Sequence, residues 1–202
     1  MATRADTDHW PRYNKAQRTR GVRDLCAEII DGAGPGAGRR ALDLGAGAGV
    51  ETRALLAAGW SVHAIDSAPG SATQIREGLT GERAARLTIG EHTFADLDAL
   101  PASDLVYAGY SLTFMDHNAF DDSWPLLTES VRPGGWVAVN LFGVSDTWAA
   151  DTSMNFWEHS VIEALFAGLE RVELREAEYD GMSFSGPKHW HVFDVIARRS
   201  GR

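Results

Sequence analysis

The stretch Ala41-Leu-Asp-Leu-Gly-Ala-Gly-Ala-Gly-Val50 decides the fold. A short apolar strand runs into three alternating glycines, and a helical pattern opens at Val50. Strand, glycine turn and helix in that order bring backbone close to a ligand at a helix N-terminus, where free amides and the helix dipole are on offer. The helix expected from Val50 to Ala58 closes at Gly59. Trp60-Ser-Val-His-Ala-Ile65 then reads as a second strand ended by Asp66, which lies 21 residues after Gly45. A carboxylate at that place accepts hydrogen bonds from both hydroxyls of a ribose.

The turn also says which nucleotide it is not made for. The dinucleotide pattern G-x-G-x-x-G would need glycines at 45, 47 and 50, and position 50 is Val. The glycines fall at 45, 47 and 49, and no Gly-Lys-Ser/Thr follows, so the phosphate-loop pattern fails too. Asp43 stands in the mouth of the turn, where it would repel a pyrophosphate and favour an ammonium group. The turn therefore suits a nucleoside with a cationic amino-acid tail, and Val50 and Asp43 speak against a nicotinamide oxidoreductase.

Outward from this stretch, Val22, Leu25, Cys26, Ile29 and Ile30 repeat on one helical face from Arg18 onward. Gly32 to Gly38 ends that helix. Residues 1–17 read as a polar arm carrying Trp10 and Tyr13. Downstream, 70–79 reads as a short helix, 87–89 and 104–108 as strands. Phe120, Trp124, Leu127 and Val131 predict a helix whose regular part starts near Ser123, because Pro125 fits only a first turn. Arg132-Pro-Gly-Gly135 stops it before an apolar strand over 136–142. Val161, Ile162, Leu165, Phe166 and Leu169 form another helix. Val172 and Leu174 mark a half-exposed strand, and 190–197 the last strand. Strands alternating with helices mean a mostly parallel α/β sheet. The last two strands are separated by a loop rather than a helix, so one of them runs antiparallel.

With 202 residues the chain is one ordinary domain. Nineteen basic residues against 28 acidic ones give a net charge of −9, which argues against a nucleic-acid backbone as partner. The acidic body would suit a cationic or neutral ligand. A lone cysteine, Cys26, excludes an internal disulfide and cysteine-held iron–sulfur clusters. The first residues lack the apolar run of a secretory signal, and no segment is apolar enough to span a membrane. The chain reads as soluble and cytoplasmic.

Leu42-Asp-Leu-Gly-Ala-Gly-Ala-Gly49 resembles the first motif of the class I S-adenosylmethionine-dependent methyltransferases. The likeness extends to Asp66, Ala95-Asp96 and Arg132-Pro-Gly-Gly135, and within the superfamily it points to the small, tellurite-resistance-like branch. Ala46 stands where the family usually has Cys or Gly. The resemblance implies a Rossmann-like, doubly wound seven-stranded sheet, mostly parallel with one antiparallel strand near the C-terminus. Residues 18–202 would be the methyltransferase domain and 1–17 its arm. It implies S-adenosyl-L-methionine as cofactor and S-adenosyl-L-homocysteine as product. By position, Gly45, Ala46, Gly47 and Gly49 would line the methionine part, with Asp43 near its amino group. Asp66 would bind the ribose, Ser67 and Ala68 would flank the adenine, and Asp96 and Leu97 would bond to it. Gly109 lies where the methyl group meets its acceptor, and Arg18 would reach the cofactor carboxylate.

Methyl transfer from a sulfonium asks the protein mainly for position, a dry pocket and, where needed, a base. The expected acceptor is a small molecule reacting through a heteroatom, oxygen before nitrogen or sulfur. Tyr110, Phe114, Asn140, Trp148 and Trp157 are the expected acceptor wall, with Tyr110 also near the reacting atoms. His189 and His191 straddle Trp190 at strand spacing and would face one way, so both are candidate bases. The pair Asp116 and His117 is a further candidate. The histidine spacing lacks an obvious third ligand, so no metal is expected. Amino-methylating nucleic-acid enzymes of the superfamily carry an Asn/Asp-Pro-Pro-aromatic motif where this chain reads Ala108-Gly-Tyr-Ser111. Two alternatives use the same fold: a cofactor-binding regulatory partner, or an enzyme steering a cyclisation with the sulfonium charge.

Overall fold

The computed structural model describes residues 8–201. The central strands are β1 (Arg40–Leu44), β2 (Ser61–Ile65), β3 (Leu87–Gly90), β4 (Ser103–Ala108) and β5 (Val131–Phe142). The chain ends in a long hairpin of β6 (Arg171–Ser183) and β7 (Gly186–Arg198). The seven strands form one sheet in the order β3-β2-β1-β4-β5-β7-β6. Strands β1 to β5 pair in parallel, and β7 runs against both of its neighbours. This is the doubly wound sheet the sequence leads one to expect, with its antiparallel strand near the C-terminus. The order reverses direction at β1 and β4, which opens a crevice beyond their C-terminal ends.

Alternate residues of each strand feed two core layers. Leu42, Val106 and Val139 face a layer that holds Phe120, Trp124, Ile162 and Phe166. Ala41, Leu105 and Ala138 face Leu25, Ile29, Leu55 and Trp60 on the other side. The first layer is covered by α4 (His117–Ser130) and α5 (His159–Phe166), the second by α2 (Asp24–Ala33) and α3 (Val50–Ala57). Burial of such aromatic side chains is the main stabiliser. Truncating Phe166, which is fully buried, would cost about 3–5 kcal/mol.

Local departures from the expected elements have local causes. The helix expected from Arg18 starts at Asp24, and Val22 is 41% exposed. Glu51 on α3 accepts from the Arg23 amide and from both terminal nitrogens, Nη1 and Nη2, of Arg20, which holds 18–23 outside helical geometry. The helix expected near Ser123 starts at His117 and passes through Pro125. Asp116 caps it by accepting from the Asn118 amide. Pro125 lies on the solvent side, so water can serve the carbonyl that loses its partner while Phe120, Trp124 and Leu127 stay buried.

Gly186 to His189, expected as a loop, is already β-strand, and the hairpin turns at Phe184-Ser185. Beyond Leu174 the edge strand β6 is charged and exposed, so the alternation that betrays a buried face is lost. Within the arm, His9–Gln17 forms a helix, α1, and residues 1–7 lie outside the described part.

Candidate active site

The glycine turn is folded back on the sheet. Gly45 and Ala46 both donate to the Ile65 carbonyl, at 2.8 and 3.0 Å. The Asp66 carboxylate takes the amide of Gly47 at 2.7 Å and that of Ala68 at 2.9 Å. One oxygen serves each amide, so each keeps a free lone-pair direction toward a ligand. Gly45 has φ +77°, and a Cβ there would stand 2.3 Å from Cβ of Ser111, whose hydroxyl donates to the Leu44 carbonyl at 2.6 Å. The turn thus needs glycine at 45 for both conformation and space. Asn14 of α1 is buried over Gly47.

Asp43 is fully buried beneath the turn and is the register partner of Tyr107 on β4. Burial pushes its carboxyl up to about 7, against a hydrogen bond from the Thr52 hydroxyl. Burial also raises Asp66, opposed by the two amides it accepts from. Burial works against the Glu51 carboxylate as well, yet its pair with Arg20 keeps it below the ordinary range. Two polar atoms beside this group, the Tyr107 hydroxyl and Arg20 Nε, are buried with no hydrogen-bond partner among the described residues.

These groups border a cavity of about 780 Å³. Its other end is aromatic. Tyr110 follows β4 at φ +55°, a conformation that costs an aromatic residue about 1–3 kcal/mol and turns its ring toward Phe142 and Trp190. Burial raises the Tyr110 hydroxyl well above its usual value, so it serves as a donor rather than a base near neutral pH. Trp148 and Trp190 meet at 5.9 Å, and Tyr179 stacks on Trp190 at 6.3 Å. Helix α1 closes the top: Trp10 meets Phe114 at 4.8 Å, and Tyr13 meets Phe184 of the hairpin tip at 5.6 Å.

The structure brings together Asp43, Gly45, Ala46, Gly47, Asp66, Ser67, Gly109, Tyr110, Phe114 and Trp148 on this cavity. It carries the other sequence candidates elsewhere. Gly49 is the helix cap behind the turn. Arg18 pairs with Glu77 at 2.8 Å on the surface, and it is Arg20 and Arg23 that face the cavity. Asp96 is exposed and closes a capping box with Thr93, whose hydroxyl donates to it at 2.6 Å; Thr93, Phe94 and Ala95 line the cavity instead. Leu97 packs on the core. Asn140 is buried and donates to Asp194 at 2.6 Å. Trp157 lies in the core against Phe120 at 5.0 Å. Asp116, the helix cap, does border the cavity, while His117 bonds to the Thr152 carbonyl.

His189 and His191 do share a side, but it is the side of Phe193 and Val195, and it is Trp190 that lines the cavity. Exposed His189 lies between Asp180 and Glu178, which raise its pKa. Buried His191 bonds to Glu176 at 2.9 Å. Glu176, Glu178 and His191 bring three ligand atoms within 4.8 Å of one another. Proton accounting disfavours a metal there. The Ser145 amide donates to His191 Nδ1 at 3.1 Å, so the ring proton sits on Nε2 and is donated to Glu176. A metal on Nε2 would leave the ring with no proton at all. Arg20, Tyr107, Tyr179 and Trp190 were missed by sequence reasoning. The parity that paired the histidines also set Trp190 opposite them, and that signal was available.

Residues 41–135 match the family described as methyltransferase domain. No curated protein matches by sequence. Among solved structures, TehB from Haemophilus influenzae superposes with a TM-score of 0.74 at 13% identity, over 93% of this chain and 66% of that one. The chain thus spans slightly less than two thirds of TehB. The N-methyltransferase NodS from Bradyrhizobium japonicum, solved with S-adenosyl-L-homocysteine, gives 0.65 at 17% identity over 96% and 89%. The 1,6-didemethyltoxoflavin N1-methyltransferase from Burkholderia thailandensis gives 0.65 at 16% identity over 96% and 84%. Sheet order, glycine turn and crevice define the class I methyltransferase fold. The match over residues 41–135 and the shared fold support a class I, S-adenosylmethionine-dependent methyltransferase.

Proposed function

We propose that this chain transfers a methyl group from S-adenosylmethionine to a heteroatom of a small-molecule acceptor. Oxygen ranks before nitrogen or sulfur as the receiving atom. One observation carries the reading: buried Asp43 shares a cavity wall with two unpartnered donors, the Tyr107 hydroxyl and Arg20 Nε. An amino-acid head group answers both halves. Its ammonium would favour the Asp43 carboxylate that burial disfavours, and its carboxylate would accept from the two donors. The residues therefore fit the cofactor. Asp66 would hold the ribose with its spare lone pairs, and Ala68 and Phe94 would flank the adenine.

The bound cofactor supplies an electron-poor methyl group on a sulfonium. The chain's own residues hold the acceptor in line with it, keep water out with Trp10, Phe114 and Trp148, and orient the acceptor from the Tyr110 hydroxyl. His189 and His191 face away from the cavity, and we assign the base role to neither.

Calorimetric titration with S-adenosylhomocysteine, with NADH as control, tests the pocket. Binding of the first alone is expected. Asp66→Ala should weaken it by about 1–3 kcal/mol, the scale of a lost charge-assisted hydrogen bond. NADH binding, or no effect of the substitution, would overturn the assignment.

A further inference from the structure

The cavity's acceptor end is aromatic, which invites comparison with the cages that hold ammonium ions. Its charges point the other way. The Arg23 guanidinium lies 4.5 Å from the centre of the Tyr110 ring. Lys188 Nζ lies 3.6 Å from the Trp148 ring and 3.9 Å from that of Trp190. Lys188 is almost fully buried and does not line the cavity, so these rings stand between it and the space they enclose.

A ring face attracts cations through its negative potential, and a cation already stacked on the ring weakens that attraction for a second one. No such pairing offsets the bias on the cavity side. Lys188 is matched by Asp146 at 2.6 Å, buried behind the rings. Arg23 has no carboxylate within ion-pair distance among the described residues, and it donates to the Tyr13 hydroxyl at 3.2 Å. Of the acids that line the cavity, Glu51 is paired by Arg20, Asp116 caps a helix, and Asp43 and Asp66 stand at the glycine turn. A chain of net charge −9 thus stacks two cations, Arg23 and Lys188, on the rings of its acceptor end.

We propose that the acceptor is a planar aromatic or heteroaromatic acid, a phenol or ring N–H that reacts as its anion, and not an alkyl amine. This rests on the methyltransferase reading above. The rings sandwich a flat molecule, and Arg23 holds the anionic oxygen or nitrogen. The acceptor gives its proton to solvent before transfer, so no side-chain base is required. A lone pair of the anion then forms the bond to the methyl carbon, while the carbon–sulfur bond breaks and its electron pair stays on sulfur. Anion and sulfonium become two neutral products. A dry aromatic cavity favours a step in which charge disappears. An amine acceptor would instead leave a cation among Arg23 and Lys188.

The test uses the full chain saturated with S-adenosylhomocysteine and two probes, 4-nitrophenol and benzylamine, titrated calorimetrically above and below the phenol's pKa. The phenolate should bind at least about tenfold more tightly than the neutral phenol, the scale of one charged hydrogen bond, and benzylamine should bind more weakly than either. Arg23→Met should erase the preference for the anion, and Arg23→Lys should keep part of it, with S-adenosylhomocysteine affinity unchanged in both. The double variant Lys188→Met/Asp146→Leu, which leaves no buried charge alone, should raise benzylamine affinity relative to the phenolate. Equal binding of phenolate and phenol, or tighter binding of benzylamine, overturns the acceptor class alone. Failure of the unaltered chain to bind S-adenosylhomocysteine overturns the underlying reading, and this one with it.

Discussion

The end of the cavity that we assign to the cofactor is drawn chiefly from residues 43–68 on two neighbouring strands, while the end we assign to the acceptor gathers Trp10, Tyr110, Trp148, Tyr179 and Trp190 from segments spread over 180 residues. The first is made of backbone: amides of Gly45, Ala46, Gly47 and Ala68 are fixed by the Ile65 carbonyl and Asp66. The second is made of side chains touching at ring edges, with few hydrogen bonds between them. A backbone cradle tolerates little change, whereas a wall of rings can be recut one ring at a time. The two ends should therefore respond to substitution on different scales and in different measurements.

The largest effect is expected at the cradle. Gly45→Val would place a β-branched residue at φ +77° and push its Cβ to 2.3 Å from Ser111. Strain and overlap together cost about 2–6 kcal/mol, so S-adenosylhomocysteine should bind at least about thirtyfold more weakly. Circular dichroism would show whether the sheet survives. Unchanged affinity would mean that the turn is not the cradle.

A smaller effect tests the charge inside the cradle. Asp43 has a folded pKa raised to about 7 from an ordinary 3.8. Between these values the folded state holds a proton that the unfolded state has lost. Stability of the free protein should thus fall as pH rises from about 4 to about 7. Binding of an ammonium group expels that proton, so cofactor affinity should climb by up to about tenfold per pH unit below 7 and level off above. Calorimetry in buffers of different ionisation enthalpy would detect the released proton. Asp43→Asn should flatten the profile, and a flat profile in the unaltered chain would separate Asp43 from the ammonium.

The same contrast explains what could be read from the sequence. The cradle was legible because its chemistry is short-range: Asp43, the three glycines and Asp66 each occupy a place fixed by a strand end. The expectation for Arg18 failed because 18–23 is shaped by Glu51, a contact across 31 residues in the case of Arg20. Asn140 and Trp157 failed because an apolar or amide side chain near a strand end has no sign that separates cavity from core. Most of the wall depends on where α1 and the hairpin fold back, and the charged face of β6 hides the length of that hairpin.

The hairpin also supplies the finest test, because adjacent residues on β7 face opposite ways. Trp190 lines the cavity, stacked with Tyr179, and its neighbour His191 points to Glu176 and the Ser145 amide. If the acceptor lies against the rings, Trp190→Ala should raise the acceptor KM by about tenfold, the loss of one aromatic contact and its buried area, and leave S-adenosylhomocysteine affinity within about twofold. His191→Ala should do the reverse of what a general base would do. It removes two hydrogen bonds at a buried position, so Tm should drop by an amount equivalent to about 1–3 kcal/mol, while kcat and its pH profile stay as they were. His191→Gln, able to keep one bond, should recover part of the stability. A fall in kcat with loss of the acidic limb of the pH profile in His191→Ala would put the base on the far side of the strand. It would also make the aromatic wall a mere lining, which is why the two substitutions belong in one experiment.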